Sequence, residues 1–189
     1  MRVGVLGLQG DFREHLTVLR SLGVDARDVR TKEQLQELDG LIIPGGESTT
    51  IAYLLEKMGM LSALRERGAQ GFPIYGTCAG MILLARELND PYPENRIGLM
   101  DITVKRNAYG RQLDSFEVDL QIKHIGEFHA VFIRAPKIVR VGSEVEILAE
   151  HDGVPVLVRQ KNLLASSFHP ELTGDPRVHK YFLEMVARG

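Results

Sequence analysis

Three short apolar runs, each closed by glycine or by a glycine-led turn, constrain this chain more than any other feature. They are residues 2–8 (RVGVLGL) before Gln9-Gly10, 40–44 (GLIIP) before Gly45-Gly46, and 72–76 (FPIYG) before Thr77-Cys78. Runs of this length, bounded by turn formers and followed by helical patterns, are strands buried on both faces. After the first, Asp11 opens a helix with Glu14 as a capping-box partner; Phe12, Leu16, Leu19 and Leu22 share one face, and Gly23 ends it. Residues 24–29 are a weaker strand, and Thr31 with Gln34 starts a short helix. Ser48 or Thr49 caps a helix through Met58, another covers residues 61–67, and the helix AGMILLARE spans 79–87. Such alternation implies parallel strands with helices on both faces of the sheet.

The pattern changes after Asn89. NDPYPENRIG reads as a loop, on which nothing catalytic is expected to rest, and residues 99–168 read mostly as strands. Period-2 alternation over 117–122 and 144–148 marks half-exposed antiparallel strands, and His151-Asp152-Gly153 is a turn. A last helix covers about 175–187, with Val178, Phe182, Met185 and Val186 inward. At 189 residues the chain is expected to be one α/β domain spanning 1–189, with an antiparallel section added late.

Composition removes some functions. The net charge is -2, with no long run of one sign, so a nucleic-acid or anionic-membrane surface is not expected. No apolar run reaches membrane-spanning length. One cysteine permits no intrachain disulfide, which suits a reducing compartment, and the cytoplasm is the expected location.

Three constellations carry candidate chemistry. Gly76-Thr77-Cys78-Ala79-Gly80 lies between a strand and a helix, a turn that lifts a nucleophile clear of the sheet. The following helix's unpaired amides favour a thiolate and can bind an oxyanion. By itself this pattern is equally that of a buried, inert cysteine. Phe168-His169-Pro170-Glu171 ends a strand; residues two apart on extended chain face the same side, so Glu171 can hold one imidazole nitrogen and leave the other for a thiol. His15, His124, His129, His151 and His179 show no comparable partner spacing and receive no role. Pro44-Gly45-Gly46-Glu47-Ser48 ends another strand, where exposed amides could meet an oxyanion or a carboxylate, although a plain capping turn has the same sequence. All three fall at carboxyl ends of predicted parallel strands, where open α/β sheets bind ligands.

These strings, with VGVLGLQGDFREH, LIIPGGESTT, VKRNAYGRQLDSFE, FIRAP and SFHPEL, resemble the class I (triad) glutamine amidotransferases, and among them the glutaminase subunits of pyridoxal 5′-phosphate synthase. The resemblance covers essentially the whole chain. It implies a flavodoxin-like three-layer α/β/α fold with a mixed, mostly parallel sheet. It implies Cys78 as nucleophile, His169 as base and acid, and Glu171 as its orienter. It implies a glutamine pocket of Gly46, Glu47, Ser48, Arg106, Ile133 and Arg134, with the Gly46 and Ala79 amides as oxyanion hole. The implied partner is a synthase subunit in a large hetero-oligomer, with Gln9-Gly10 responding to docking. No cofactor is expected: no lysine stands in a Schiff-base context, and no Cys/His cluster suggests a metal. The rival readings are a glutaminase for another pathway and a non-catalytic flavodoxin-like regulator.

Overall fold

A computed structural model gives the architecture and describes residues 1–106 and 115–189. A seven-stranded sheet runs β10(Glu146–His151)-β11(Val154–Gln160)-β12(Leu163–Ser166)-β4(Ile74–Thr77)-β3(Gly40–Ile43)-β1(Arg2–Leu6)-β2(Asp25–Val29). The five strands from β12 to β2 are parallel, and β11 and β10 continue the sheet as antiparallel neighbours. The expected mixed, mostly parallel sheet is thus present. Its central strands β3, β4 and β12 are buried at every position, as parallel strands covered on both faces must be.

Alternate side chains of the central strands feed two cores. Ile43, Ile74 and Ala165 pack with helices α3(Ser48–Lys57), α4(Met60–Ala69) and α5(Ala79–Leu84). Val3, Val5, Ile42, Tyr75 and Leu164 pack with α1(Phe12–Ser21) and α6(Arg177–Arg188). The short helix α2(Lys32–Leu35) adds Leu35 to the first core and starts from a complete Thr31/Gln34 capping box, as its sequence predicts. Two small sheets extend these layers. β5(Ala85–Leu88), β6(Met100–Lys105) and β9(Lys137–Val141) form one, adding Ile102, Val104 and Ile138 to the first core. The hairpin β7(Ser115–Ile122)–β8(Gly126–Ile133) forms the other, adding Leu120, Phe128 and Phe132 to the second.

Three local expectations are corrected. The helix after Cys78 ends at Leu84, and residues 85–88 pair with β6 as a strand instead of continuing to 87. Asp11 makes no capping bond at the start of α1, so no capping box with Glu14 forms there. The cap of α3 is Glu47, whose carboxylate accepts from the Thr49 and Thr50 amides, rather than Ser48 or Thr49.

Candidate active site

Cys78 stands between β4 and α5 with φ 51 and ψ -103, a sparsely populated conformation for a residue with a side chain. Two contacts hold it there. Its amide donates to Ser166 O of β12 at 2.8 Å. The chain also turns so tightly that a Cβ on Gly80 would lie 2.2 Å from Ile43 O. The turn therefore selects glycine because α5 crosses the backbone of β3. The Cys78 thiol lies 3.9 Å from Ile133 O at the end of β8.

His169 follows β12 and is fixed from both sides. Phe168 is buried, with its ring centroid 5.7 Å from that of Phe128 and 5.8 Å from that of Phe132, so the hairpin anchors the strand end. The His169 amide donates to Val131 O of the same hairpin at 2.8 Å. His169 Nδ1 lies 2.7 Å from Glu171 Oε1, with both side chains essentially removed from solvent. Strand continuation does not produce this pairing. His169 caps a one-turn 3-10 helix, Pro170–Leu172, which brings Glu171 back to the imidazole. The Cys78 side chain and the same imidazole line one cleft. Burial alone would lower the His169 pKa, but the nearby Cys78 sulfur and the hydrogen-bonded, charged Glu171 push it up to about 10.

The two groups open on a cleft of about 350 Å³. It is lined by Gly46, Glu47, Ser48, Cys78, Ala79, Arg106, Ile133, Arg134 and His169, together with Asp11 and Ile82. The expected pocket residues thus come together, while Glu171 stands behind His169. The remainder of the motif starting at Arg106, residues 107–112, lies outside the described residues. Glu47 is drawn in two directions. Partial burial would raise its pKa, yet hydrogen bonds from Thr49 and Thr50 bring it down to about 2, and Arg106 Nη2 sits 3.4 Å from its Oε1. Gln9 Oε1 accepts from the Glu47 amide at 2.8 Å, and the Asp11 amide donates to Gly45 O at 2.9 Å. The β1 turn is thereby tied to the β3 turn.

Several contributors escaped sequence reasoning. The loop set aside as idle holds Arg106: Asp90 Oδ2 accepts from its amide at 3.1 Å and Tyr92 O from its guanidinium at 2.7 Å. Asp11 reaches within 3.9 Å of His169 Nδ1, and its pKa is raised because desolvation outweighs the His169 charge. His15 and His179, given no role, are fully buried directly behind Glu171. Only residue spacing was available to find them, and they are 164 positions apart. Asp11, His169 and Glu171 also place ligand atoms within 4.8 Å of one another. A cation there would break the 2.7 Å imidazole–carboxylate bond, so these groups suit proton transfer better than metal binding.

A cysteine and an imidazole on one cleft, a carboxylate that orients the imidazole, and two guanidiniums can perform acyl transfer on a small substrate. The family model described as the SNO glutamine amidotransferase family matches residues 5–188. A relative from Thermosipho africanus, "Pyridoxal 5'-phosphate synthase subunit PdxT", is 52% identical over 189 residues, covering all of both chains. One of the same name from Pseudothermotoga lettingae is 61% identical over 188 residues, covering 98% of this chain and 96% of its own. A solved structure titled "Crystal structure of glutamine amidotransferase" superposes with TM-score 0.95 at 53% identity, covering 98% of each chain. The structure of PurLQS from Thermotoga maritima shares only the fold, with TM-score 0.68 at 16% identity, covering 97% of each chain. With the family model and these relatives matched along nearly its full length, the chain belongs to the SNO glutamine amidotransferase family.

Proposed function

We propose that this protein, acting as one glutaminase domain, hydrolyses L-glutamine to L-glutamate and ammonia through a Cys78 thioester. In this reading the ammonia passes to a synthase subunit that builds pyridoxal 5′-phosphate. The observation that carries the chemistry is that Cys78 and His169 share the wall of one cleft, with Glu171 hydrogen-bonded to the imidazole from behind. The full-length identity to relatives named as subunits of pyridoxal 5′-phosphate synthase supports the pathway.

The steps follow from the geometry. His169 takes the thiol proton, and the sulfur attacks the side-chain amide carbon of glutamine. The resulting oxyanion meets the amides of Gly46 and Ala79 at the cleft wall. His169 returns the proton to the amide nitrogen, the C–N bond breaks, and ammonia leaves. His169 then deprotonates water, which attacks the thioester; the C–S bond breaks, His169 returns the proton to the sulfur, and glutamate is released. Glu171 keeps the imidazole in one tautomer and balances its charge throughout. Arg106, held by Glu47 and Tyr92, offers a forked partner for the substrate's α-carboxylate. Ser48, Ile133 and Arg134 complete the cleft around the rest of the substrate.

Ammonia released into bulk water is protonated and lost as a nucleophile, so the reading includes a docked acceptor enzyme. The turn carrying Gln9 and Gly10 lies on the rim and is hydrogen-bonded to Glu47, which suits it to relay docking. The reading places the protein in the cytoplasm, where a lone thiol stays reduced. The test is glutamate release from glutamine, with and without a pyridoxal 5′-phosphate synthase core. Turnover stimulated by the core and abolished by Cys78→Ala is expected. Turnover that persists in Cys78→Ala removes the nucleophile assignment, and failure of the core to bind or stimulate the chain removes the pathway.

A further inference from the structure

Glu171 Oε1 meets His169, but the other oxygen, Oε2, is buried with no well-aligned hydrogen bond among the described residues. A buried carboxylate oxygen without a partner is costly, so its surroundings matter. His15 Nε2, on α1, lies 3.4 Å from it. The same nitrogen lies 3.2 Å from Thr77 Oγ1, one residue before Cys78. His15 Nδ1 in turn is 2.9 Å from His179 Nε2 on α6. Both imidazoles are fully buried.

The carboxylate decides the tautomers. Oε2 can only accept, so the nitrogen facing it carries hydrogen, and a neutral His15 then has a bare Nδ1. That atom accepts from His179 Nε2–H, and His179 Nδ1 is left as a buried lone pair without a partner among the described residues. We propose that His15 and His179 are positioning residues: a linked pair of neutral imidazoles whose near nitrogen, His15 Nε2, sits 3.4 Å from the free oxygen of Glu171 and keeps the carboxylate against His169 as that residue gains and loses its proton. The arrangement requires both rings to stay uncharged, since a second cation would compete with His169 for the carboxylate. Burial does this: it drives the pKa of His15 well down, helped by the His179 and His169 charges, and lowers that of His179 to about 4. Polar groups near this core include Tyr75, whose hydroxyl is bonded to Ser166 Oγ at 2.8 Å, and Asp11 on the cleft side of His169.

The proposal rests on the glutaminase reading for its kinetic arm, but not for its second arm. The variants are His15→Gln, which keeps a donor near the Nε2 position, and His15→Leu, which does not; His179→Gln and His179→Leu form the parallel pair. In the synthase complex, His15→Leu is expected to lower kcat about ten- to a hundredfold, the size seen when outer partners of ligand histidines are removed, with KM within about twofold. His15→Gln should recover most of the loss. In the free chain, the rate of Cys78 alkylation by iodoacetamide as a function of pH reports the thiol–imidazole pair without any glutamine. Its midpoint should move by about one pH unit in the Leu variants and stay in place in the Gln variants. An unmoved alkylation profile in a folded Leu variant overturns the proposal, as does equal loss of kcat in the Gln and Leu variants. Should His15→Leu not fold, the His179 pair reads the same profile from the far end. A wild-type chain without glutaminase activity removes the function proposed above and leaves the alkylation arm intact.

Discussion

Cys78 occupies a backbone conformation that few residues tolerate, and its neighbours show why the strain persists. Ser166 fixes its amide, and the close crossing of Gly80 over Ile43 leaves the turn no room to relax. Strain over-determined in this way marks functional positions, where the inference runs from the outlier to the role. Glu171→Gln isolates the carboxylate at nearly constant volume. In complex with synthase, kcat should fall by about 10²–10⁴, the scale of losing a triad carboxylate, with KM nearly unchanged. A loss spread equally over kcat and KM would count against an orienting role. Arg106→Lys keeps the charge but removes the fork. KM for glutamine should rise about tenfold or more, and steady-state kinetics on the complex check it.

At the scale of elements, sequence periodicity located the parallel strands and most of the helices well. It failed where tertiary pairing outcompeted local propensity. AGMILLARE has helical composition, yet its last residues join β6 because that edge leaves unpaired backbone groups to satisfy. The cap of α3 was missed because Glu47 uses its own carboxylate in place of a hydroxyl. Glu47→Ala should cost about 1 kcal/mol of stability through the lost cap and raise KM by freeing Arg106. Denaturant unfolding and kinetics measure the two effects separately. Gly80→Ala would force a Cβ to 2.2 Å from Ile43 O, against backbone that cannot give way. It should lower stability by on the order of 2–3 kcal/mol, read as a reduced urea midpoint at unchanged m. The convergence of Cys78, His169 and Glu171 was legible because each sits in a local motif. The outer histidines were not, since no spacing rule joins α1 to α6.

For the molecule as a whole, three buried imidazoles pull the stability curve in opposite directions. Burial lowers His15 and His179 in the folded chain, the latter to about 4 from 6.5. As pH falls from about 6.5 toward 4, the unfolded chain therefore binds more protons, and stability is lost. His169 behaves in reverse. Its folded value of about 10 lies above 6.5, so its contribution is complete below about 6.5 and disappears as pH climbs through about 10. The unfolding free energy should peak near pH 6.5 and decline on both sides. Urea titrations across the range test this, and a flat acid side would contradict the neutral imidazole pair. His179→Leu should flatten the acid limb alone.

The sheet order has a consequence for synthesis on the ribosome. β4 and β12 are direct neighbours, but the residues that join them, such as Tyr75 and Ser166, are 91 positions apart. The Cys78 sulfur is therefore synthesised long before the imidazole that faces the same cleft. The two can share that cleft only once β12 has paired with β4, so this part of the molecule is assembled late in translation.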